Sequence, residues 1–423
     1  MPIARWTGPL PIRRLAVVSA HTSPLAQPGT GDGGGLNVYV LQTSRRLAAL
    51  GVEVDVFTRL TDAALPPQVE VAPGLTVHHV PAGPPRALPK EQLHDVLGAF
   101  LLAVRGLAGG TGHDVIHAHY WLSGWVGRHL REAWGVPLVQ SFHTLGRVKN
   151  AALAPGETPE AAGRLAEEER ILAVADRVVV PTCDEARILH RAFGTSGARI
   201  SVVPLGVDLE VFRPGPRVAV PEAPAGEGPL LLFVGRLQPL KGPDIAVRTL
   251  AEIRRVVPGA RLLIVGGISG NGTGRTGPDE LLRLAAEVGV ADAVAFAPAR
   301  PQEELAQLYR AADLVLVPSR SESFGLVALE AQASGTPVVA ADVGGLTTVV
   351  RGGGTLVAGH DPIDHAAAAV RYLVDPEEAA RAGSAGHQAA AGATWTRTVE
   401  RLLAVYAGVT RDARAAVPAR RGA

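Results

Sequence analysis

Two basic side chains stand on one short stretch that follows a predicted strand. Arg236 comes directly after the apolar run at residues 230–235, and Lys241 follows before Gly242. Cations at the carboxyl end of a strand can hold a diphosphate from two sides and lower the barrier as it gains negative charge on leaving. The spacing therefore indicates a nucleotide diphosphate site. The alternative is two surface cations at the start of a helix.

Two carboxylates follow a later predicted strand. Glu322 and Glu330 come after the apolar run at 314–319, with seven residues between them. Carboxylate oxygens accept hydrogen bonds from sugar hydroxyls, whereas they repel phosphate. We therefore predict one carboxylate near a transferred sugar and the other near a nucleotide ribose. A helix-start acid that interacts with the macrodipole is the alternative for Glu322.

A glycine-rich loop at residues 21–40 links the first predicted strand to a helix. Glycines expose backbone N–H groups, and a helix amino terminus attracts anions, so the loop predicts a sugar-phosphate site. Gly29, Gly31 and Gly34 also match the GxGxxG pattern of nicotinamide enzymes. That pattern begins at the strand end, whereas about ten residues separate Gly29 from the strand, so an oxidoreductase is the weaker alternative.

Strands alternate with helices along the whole chain. The predicted strands lie at 15–19, 52–58, 115–119, 137–142 and 177–181, and then at 230–235, 261–267, 294–299, 314–319 and 337–341. This alternation predicts an α/β protein with two Rossmann-like doubly wound domains that face a central cleft. We place the amino-terminal domain at 1–207, a hinge or linker at 208–229, the carboxyl-terminal domain at 230–395, and a final helix with a frayed tail, crossing back to the first domain, at 396–423.

Composition narrows the class of protein. The 41 basic and 40 acidic residues among 423 nearly cancel, so the total charge predicts no nucleic-acid partner. No apolar run approaches the roughly 20 residues that cross a membrane. Cys183 is the single cysteine and cannot form an internal disulfide. We expect a soluble, cytoplasmic protein without a membrane span.

The motifs together resemble a known family. The stretch 234–243, the segment 321–339 that contains both glutamates, the glycine loop and the segment 117–124 are similar to those of the retaining GT-B glycosyltransferases of group 1 (GT4). The resemblance covers almost the whole chain. It is strongest to members that transfer N-acetylglucosamine from UDP to 1D-myo-inositol 3-phosphate in mycothiol biosynthesis.

Two other interpretations remain open. Sucrose-phosphate synthases and phosphatidylinositol mannosyltransferases share the donor half of this family, so the acceptor is the less secure part of the resemblance. A protein of this fold could also bind a nucleotide sugar without catalysis. The complete set of Arg236, Lys241, Glu322 and Glu330 favours an enzyme.

The resemblance implies roles for individual residues. It places the acceptor phosphate on Lys90, Tyr120, Thr144 and Arg164, and the inositol on His21, Asp32, Gly33, Gly34, Gly35, Leu36 and Asn37. It places the donor, a UDP-sugar, on Gln27, Pro28, Gly35, Arg236, Lys241, Arg300, Glu322 and Glu330. Catalysis would involve Arg236, Lys241, Glu322 and His143, the last beside the transferred sugar. Gly33 stands where the family usually has serine, and Leu36 where it has methionine.

The remaining expectations concern a bound metal ion and the oligomeric state. There is no DxD motif, so we expect no cofactor for the chemistry. The resemblance implies a structural Mg²⁺ on Tyr309, Arg310, Ala312 and Thr336, held mostly by backbone carbonyls, and a homodimer. His117 and His119 alternate along a predicted strand and could face a metal, although packing is the preferred interpretation. Cys183 is interpreted as an ordinary loop cysteine.

Overall fold

The computed structural model describes residues 9–108, 112–153, 157–268 and 277–416. The ends of the predicted first domain and of the final helix segment, residues 1–8 and 417–423, lie outside the described residues. Along the described residues, none of the helices combines the length and the apolar character that a membrane crossing needs.

The first half of the chain forms a sheet with helices on both faces. Its strands are β1 Arg14–Val18, β2 Glu53–Arg59, β3 Gln68–Ala72, β4 Leu75–Val80, β5 Val115–His119, β6 Leu138–Ser141, β7 Arg177–Val180 and β8 Ile200–Val202. Its helices are α1 Gly35–Ala49, α2 Lys90–Leu107, α3 Tyr120–Trp134, α4 Gly146–Asn150, α5 Ala162–Val174 and α6 Cys183–Phe193, with a 3-10 turn at Gly197–Arg199. Within the described residues, the strand order is β3-β4-β2-β1-β5-β6-β7-β8.

The second half repeats this architecture. Its strands are β9 Leu230–Val234, β10 Arg261–Val265, β11 Val294–Ala297, β12 Leu314–Val317, β13 Val338–Ala341 and β14 Gly354–Val357. Its helices are α7 Pro243–Arg254, α8 Pro278–Glu287, α9 Gln302–Ala311, α10 Leu326–Ala333, α11 Leu346–Val349, α12 Pro362–Val374, α13 Pro376–Ala390 and α14 Trp395–Ala416, with 3-10 turns at Pro239–Lys241 and Ala291–Ala293. In the described part, the order is β11-β10-β9-β12-β13-β14.

The central strands are buried because both faces of each sheet are covered; β12 is a continuous apolar run, whereas β5 also carries His117 and His119. Every residue of β5 and β12 is buried. Continuous apolar runs of this kind are typical of parallel strands between two helical layers. All ten predicted strands are present, and their pairing is parallel.

The sequence pattern missed four strands, β3, β4, β8 and β14. The pair β3 and β4 is an antiparallel hairpin at one edge of the first sheet, so that sheet is mixed rather than wholly parallel. None of the residues of β3 is fully buried at this edge. It therefore lacks the apolar run that made the central strands recognisable.

The final helix returns to the first half of the chain. α14 packs against α1, and the ring of Trp395 meets that of Tyr39 edge-on at 6.1 Å. Further along α14, the Tyr406 hydroxyl lies 2.8 Å from His117 Nδ1 on β5. Directly before α14, an isolated β-bridge joins Thr394 to Val207. These contacts connect the end of the chain to the first half, and Tyr39 in turn meets the His143 ring at 5.4 Å.

In each sheet the direction of winding reverses between two neighbouring strands. These strands are β1 and β5 in the first sheet and β9 and β12 in the second. Loops that leave such a pair diverge to opposite faces and open a crevice at the carboxyl ends of the strands. The loops after all four strands carry the predicted site residues.

Candidate active site

The two cations predicted after β9 are placed together with the first predicted carboxylate. Lys241 Nζ lies 2.6 Å from Glu322 Oε2. Arg236 is partly buried, and burial lowers its pKa, whereas the nearby Asp32 and Glu322 raise it. The structure therefore groups Arg236, Lys241 and Glu322 at one point of the crevice, with Asp32 approaching from the first half.

A second ion pair fixes the two loops relative to each other. Arg320 Nη2 donates to Asp244 Oδ2 at 2.7 Å, and Arg320 Nη1 donates to Asp244 Oδ1 at 3.0 Å. The Arg320 backbone N–H donates to the Leu240 carbonyl at 2.8 Å. This two-point contact, with its rigid guanidinium geometry, holds the Lys241 stretch beside the Glu322 loop.

Two consecutive glycines, Gly344 and Gly345, pack against the backbone of Glu322. The N–H of Gly345 donates to the Glu322 carbonyl at 2.8 Å. Gly344 has φ of +48°, and a Cβ on it would lie 2.1 Å from the same carbonyl oxygen. Only glycine meets both conditions without displacing the Glu322 loop.

Glu330 lies apart from this group. Its carboxyl accepts hydrogen bonds from the Tyr309 hydroxyl at 3.0 Å and from Gln302 Nε2 at 3.5 Å, both on α9. Burial raises the pKa of Glu330 to about 7. Gln302 also contacts Gln42 of α1, 3.3 Å away. The predicted contact of Glu330 with a ribose stays a prediction.

The glycine loop of the first half touches the second half directly. Gln27 Nε2 donates to the Arg300 carbonyl at 2.7 Å, and the Gly267 N–H donates to the Gly29 carbonyl at 2.9 Å. A Cβ on Gly34 would lie 3.7 Å from Arg236 Nε. The loop thus faces the same cations that the second half supplies.

The amino termini of α1 and α10 also approach each other here. A Cβ on Gly35, the first residue of α1, would lie 3.2 Å from the side chain of Leu326, the first residue of α10. Helix amino termini present unpaired N–H groups and partial positive charge. The crevice between Arg236 and these two helices is therefore suited to an anionic ligand.

Several predicted residues shape the loop through their own hydrogen bonds. Asn37 is buried; its Nδ2 donates to Thr22 Oγ1 at 2.8 Å, and its Oδ1 accepts from the Gly34 N–H at 2.9 Å. Gly33 and Pro28 contribute backbone: the Gly33 N–H donates to the Thr30 carbonyl, and the Pro28 carbonyl accepts from Gln27. Leu36 is half-buried against the core.

The guanidinium of Arg300 is engaged elsewhere. Its Nη2 lies 2.5 Å from Glu222, and its Nη1 lies 3.4 Å from Glu304. The Arg300 carbonyl, in contrast, accepts from Gln27 at the crevice. A donor contact through the Arg300 side chain stays a prediction, because it requires both ion pairs to open.

Three of the predicted phosphate-binding residues form one cluster. Arg164 Nη1 donates to the Tyr120 hydroxyl at 2.9 Å, and Arg164 Nη2 donates to Thr144 Oγ1 at 3.2 Å. The guanidinium also stands over the Tyr120 ring, 4.9 Å from its centroid. Residues far apart in sequence thus converge, as expected for recognition of an oxyanion.

Lys90, the fourth predicted phosphate-binding residue, contacts the glycine loop. Its Nζ is 2.9 Å from Asp32 Oδ1. Burial lowers the pKa of Lys90, Asp32 raises it, and the neighbouring charges of Arg236 and Lys149 lower it further. Lys90 therefore lies within the electrostatic range of the donor-side cation and of a lysine that the sequence did not single out.

A group of uncharged histidines lies between the two sides. Burial lowers the pKa of His143 to about 3 and that of His21 well below its usual value. His143 Nε2 lies 3.0 Å from His119 Nδ1, so one of the two nitrogens carries a proton and the other accepts it. The His21 ring packs on Tyr120, with centroids 4.5 Å apart. Neutral imidazoles can serve a sugar as both donors and acceptors.

Two of these residues have unusual backbone geometry. Tyr120 has φ of +73° and His143 has φ of +60°. Left-handed backbone is uncommon outside glycine, and where it persists it clusters at functional sites. The His143 carbonyl accepts a hydrogen bond from Ser323 Oγ at 2.5 Å, which links it to the loop of Glu322 across the crevice.

The predicted magnesium residues surround the end of α9. Thr336 Oγ1 donates to the Tyr309 carbonyl at 2.6 Å, but the Ala312 carbonyl accepts from the Arg217 guanidinium at 3.3 Å. Magnesium prefers an octahedral set of oxygens that usually includes carboxylates, and neither these residues nor Arg310 provides one. The magnesium site stays a prediction.

The two alternating histidines of β5 have protein partners. His117 Nδ1 lies 2.8 Å from the Tyr406 hydroxyl and His117 Nε2 lies 2.9 Å from Ser141 Oγ, while His119 pairs with His143. These contacts agree with the packing interpretation. Cys183 is exposed and begins α6.

Comparisons with known proteins fit this geometry. Residues 33–211 match the model of Glycosyltransferase Family 4, and residues 219–389 match that of Glycosyl transferases group 1. The chain is 52% identical to the D-inositol 3-phosphate glycosyltransferase of Acidothermus cellulolyticus, over 99% of the chain and 94% of that protein. The protein of the same description from Nocardia farcinica is 53% identical, over 93% of the chain and 89% of that protein.

The chain belongs to the group 1 (GT4) glycosyltransferases. Among solved structures, a sucrose-phosphate synthase from Thermosynechococcus elongatus superimposes on this glycosyltransferase with a TM-score of 0.87 at 34% identity, covering 95% of the chain and all of that structure. HepE from Anabaena, solved with UDP and glucose, has a TM-score of 0.70 at 19% identity over 94% of the chain and shows the fold alone. The predicted family and GT-B fold are confirmed.

Some residues of the glycosyltransferase site were not visible in the sequence. Ser323 and the pair Arg320 and Asp244 act through contacts across loops, and Lys149 and Glu160 lie in a segment without a recognisable motif. Local spacing carries a signal only for Glu160, which stands four residues before Arg164 and pairs with it. A strand end followed by a charged residue, as at Arg320, is the only other feature that could have drawn attention.

Proposed function

We propose that this glycosyltransferase moves N-acetylglucosamine from UDP-N-acetylglucosamine to 1D-myo-inositol 3-phosphate with retention of configuration. The observation that carries the proposal is the pairing of two cationic sites in one crevice. Arg236 and Lys241 suit a diphosphate, and Lys90 and Arg164 suit a phosphate monoester. The names of the relatives supply the identity of the acceptor.

The donor side accounts for the leaving group. In the proposed step, the bond between the sugar C1 and the β-phosphate oxygen breaks, and the acceptor hydroxyl oxygen bonds to C1 on the same face. The hydroxyl proton passes to the departing phosphate oxygen, which gives UDP. Arg236 and Lys241 are positioned to stabilise the charge that develops there, and preorganised donors of this kind act most strongly in an enclosed site.

Glu322 has a different role in this proposal. Its Oε2 is already paired with Lys241 at 2.6 Å, which fixes the carboxyl group so that it can accept hydrogen bonds from sugar hydroxyls. The neutral His143 beside it supplies a further hydrogen bond to the sugar. Detection of a covalent sugar adduct on Glu322 by mass spectrometry would contradict this mechanism.

Sucrose-phosphate-type chemistry is the second candidate function. It is favoured by one observation, the 34% identity and full coverage of the solved sucrose-phosphate synthase. Both reactions require a phosphate pocket. They differ in the acceptor ring, which would lie against His21 and the glycine loop.

The test is UDP release from UDP-N-acetylglucosamine with and without 1D-myo-inositol 3-phosphate. We expect release to depend on the acceptor and to be lost in Arg164→Ala. The matched control is Arg170→Ala on the same helix, whose side chain is 66% exposed and pairs only with Glu167 among the described ion pairs. Turnover with fructose 6-phosphate instead would select the second candidate. Binding of the nucleotide sugar without turnover of any acceptor would select the non-catalytic alternative.

The stereochemistry of the transfer, the oligomeric state and the cellular location of the protein each need a separate measurement. An α-anomeric product by NMR is expected from an α-linked donor. A homodimer predicts twice the mass of 43.9 kDa by light scattering. We also propose a cytoplasmic location, in keeping with the single cysteine, which cell fractionation would test.

A further inference from the structure

Arg164 has no unused nitrogen. Its Nε donates to Glu168 Oε1 at 2.8 Å, its Nη1 to the Tyr120 hydroxyl at 2.9 Å, and its Nη2 to the Thr144 carbonyl at 3.0 Å. Glu168 is fully buried and also accepts from the Gly146 N–H at 2.9 Å. These contacts hold the guanidinium in place, so a phosphate can reach it only by replacing one of its partners.

The replaceable partner is Glu160. Its Oε2 lies 2.9 Å from Arg164 Nη1, and its Oε1 lies 2.5 Å from Lys149 Nζ. One carboxylate therefore bridges two cations, as the oxygens of one phosphate group could. The side chain of Glu160 is 20% exposed and that of Lys149 is 32% exposed, in contrast to the buried Glu168.

Further contacts hold Glu160 in this position. Its backbone N–H donates to Asn150 Oδ1 at 2.7 Å, and it precedes the amino terminus of α5, where negative charge is favoured. Lys149 joins the same cluster, because the carboxylate of Glu160 contacts both Lys149 Nζ and Arg164 Nη1.

We propose that Glu160 is an internal competitor for the acceptor's phosphate, which displaces it from Arg164 and Lys149. Lys149 thereby becomes a further phosphate-binding cation, beside Lys90 and Arg164. This inference rests on the proposed function, since it takes a phosphorylated acceptor as the ligand.

Competition of this kind provides selectivity for charge. A neutral polyol cannot replace a carboxylate between two cations, because the broken ion pairs would leave both cations uncompensated. A phosphate dianion replaces both pairs at once. Glu160 therefore sets the minimum charge that an acceptor must bring to this pocket.

The experiment compares wild type with Glu160→Gln in steady-state transfer. We expect the KM for 1D-myo-inositol 3-phosphate to fall by about three- to ten-fold, because binding no longer breaks a part-buried ion pair. The kcat and the KM for the nucleotide sugar should not change, whereas the poor use of unphosphorylated myo-inositol should improve, because a neutral acceptor no longer has to break these ion pairs. Glu169→Gln is the control, since Glu169 lies on the same helix and pairs with the exposed Arg147.

A positioning role predicts the opposite change. If Glu160 orients Arg164 and Lys149 for the acceptor, Glu160→Gln raises the KM for the phosphorylated acceptor. That result, or an unchanged KM, overturns the inference. Lys149→Met should raise the same KM at least about ten-fold, as loss of a charged phosphate contact does. An unchanged KM in Lys149→Met would contradict the assignment of Lys149.

Direct binding separates this inference from the proposed function. Inorganic phosphate is titrated into wild type, Glu160→Gln and Glu160→Asp, and binding is followed by ³¹P NMR line width. Tighter binding by both variants supports the competition even if 1D-myo-inositol 3-phosphate is not a substrate. The inference alone is overturned if wild type transfers normally but neither variant binds phosphate more tightly than wild type. Unchanged melting temperatures of both variants show that they are folded in this comparison.

Discussion

The buried histidine that links β5 to α14 predicts how stability depends on pH. Burial lowers the pKa of His117 to about 3, and the nearby His143 ring contributes in the same direction. The ring contacts Tyr406 of α14 and Ser141 of β6, and it lies tilted against the His119 ring with the centroids 4.2 Å apart. No acidic side chain is among these contacts, so a proton on His117 would lack a counter-ion there.

The sign follows from proton binding. The folded pKa lies below the unfolded value of about 6.5, so the unfolded chain binds more protons between these values. The stabilising contribution is complete above about pH 6.5 and is lost as the pH falls toward 3. Between pH 7.5 and 5.5, one such histidine costs about 1.4 kcal/mol of unfolding free energy.

The assay is urea unfolding of wild type and His117→Gln at both pH values. We expect His117→Gln to be less stable than wild type at pH 7.5 but to lose about 1.4 kcal/mol less on acidification. Subtraction from wild type removes the contributions of other groups, such as the raised pKa of Glu330. Tyr406→Phe is the control, because it removes the hydrogen bond but keeps the buried ring. An equal pH dependence in wild type and His117→Gln would refute the reasoning.

Three further predictions concern the crevice. Lys241→Met should lower kcat by about 10²- to 10³-fold with a smaller change in the KM for the donor, because the proposed role of this cation is to stabilise the leaving group. Rapid-quench kinetics measure this effect, and an unchanged kcat would exclude that role for Lys241. Gly344→Ala should cost about 1–3 kcal/mol of stability through its positive φ and should also reduce kcat, because its Cβ would displace the Glu322 carbonyl. The control is Gly352→Ala, because Gly352 also has a positive φ, of +78°, but a Cβ there would lie 3.6 Å from its nearest neighbour and would fit. This variant should lose stability and keep its kcat. Equal kcat values in the two variants would contradict the effect on Glu322. Removal of divalent metal with EDTA should leave the transfer rate within about two-fold, because charge stabilisation comes from Arg236 and Lys241; a complete loss that magnesium restores would place the metal in the reaction.

Local pattern alone identified much of this protein. Buried parallel strands are continuous apolar runs, and the motifs around Arg236 and Glu322 follow their strands within a few residues. Both features are local in sequence, because backbone geometry relates neighbouring residues directly. The four missed strands are short or lie toward sheet edges, where a polar face removes the apolar signal.

Tertiary structure alone decided which charges meet. Lys90 of α2 pairs with Asp32 of the glycine loop, and Glu160, four residues before Arg164, also contacts Lys149 of α4. The same holds for the contact of Ser323 with the His143 carbonyl across the crevice. Ion pairs and hydrogen bonds depend on distances of a few ångströms between side chains, and these distances exist only after both sheets have packed. The sequence by itself therefore determined the family and the fold, while packing determined the charge balance of the site.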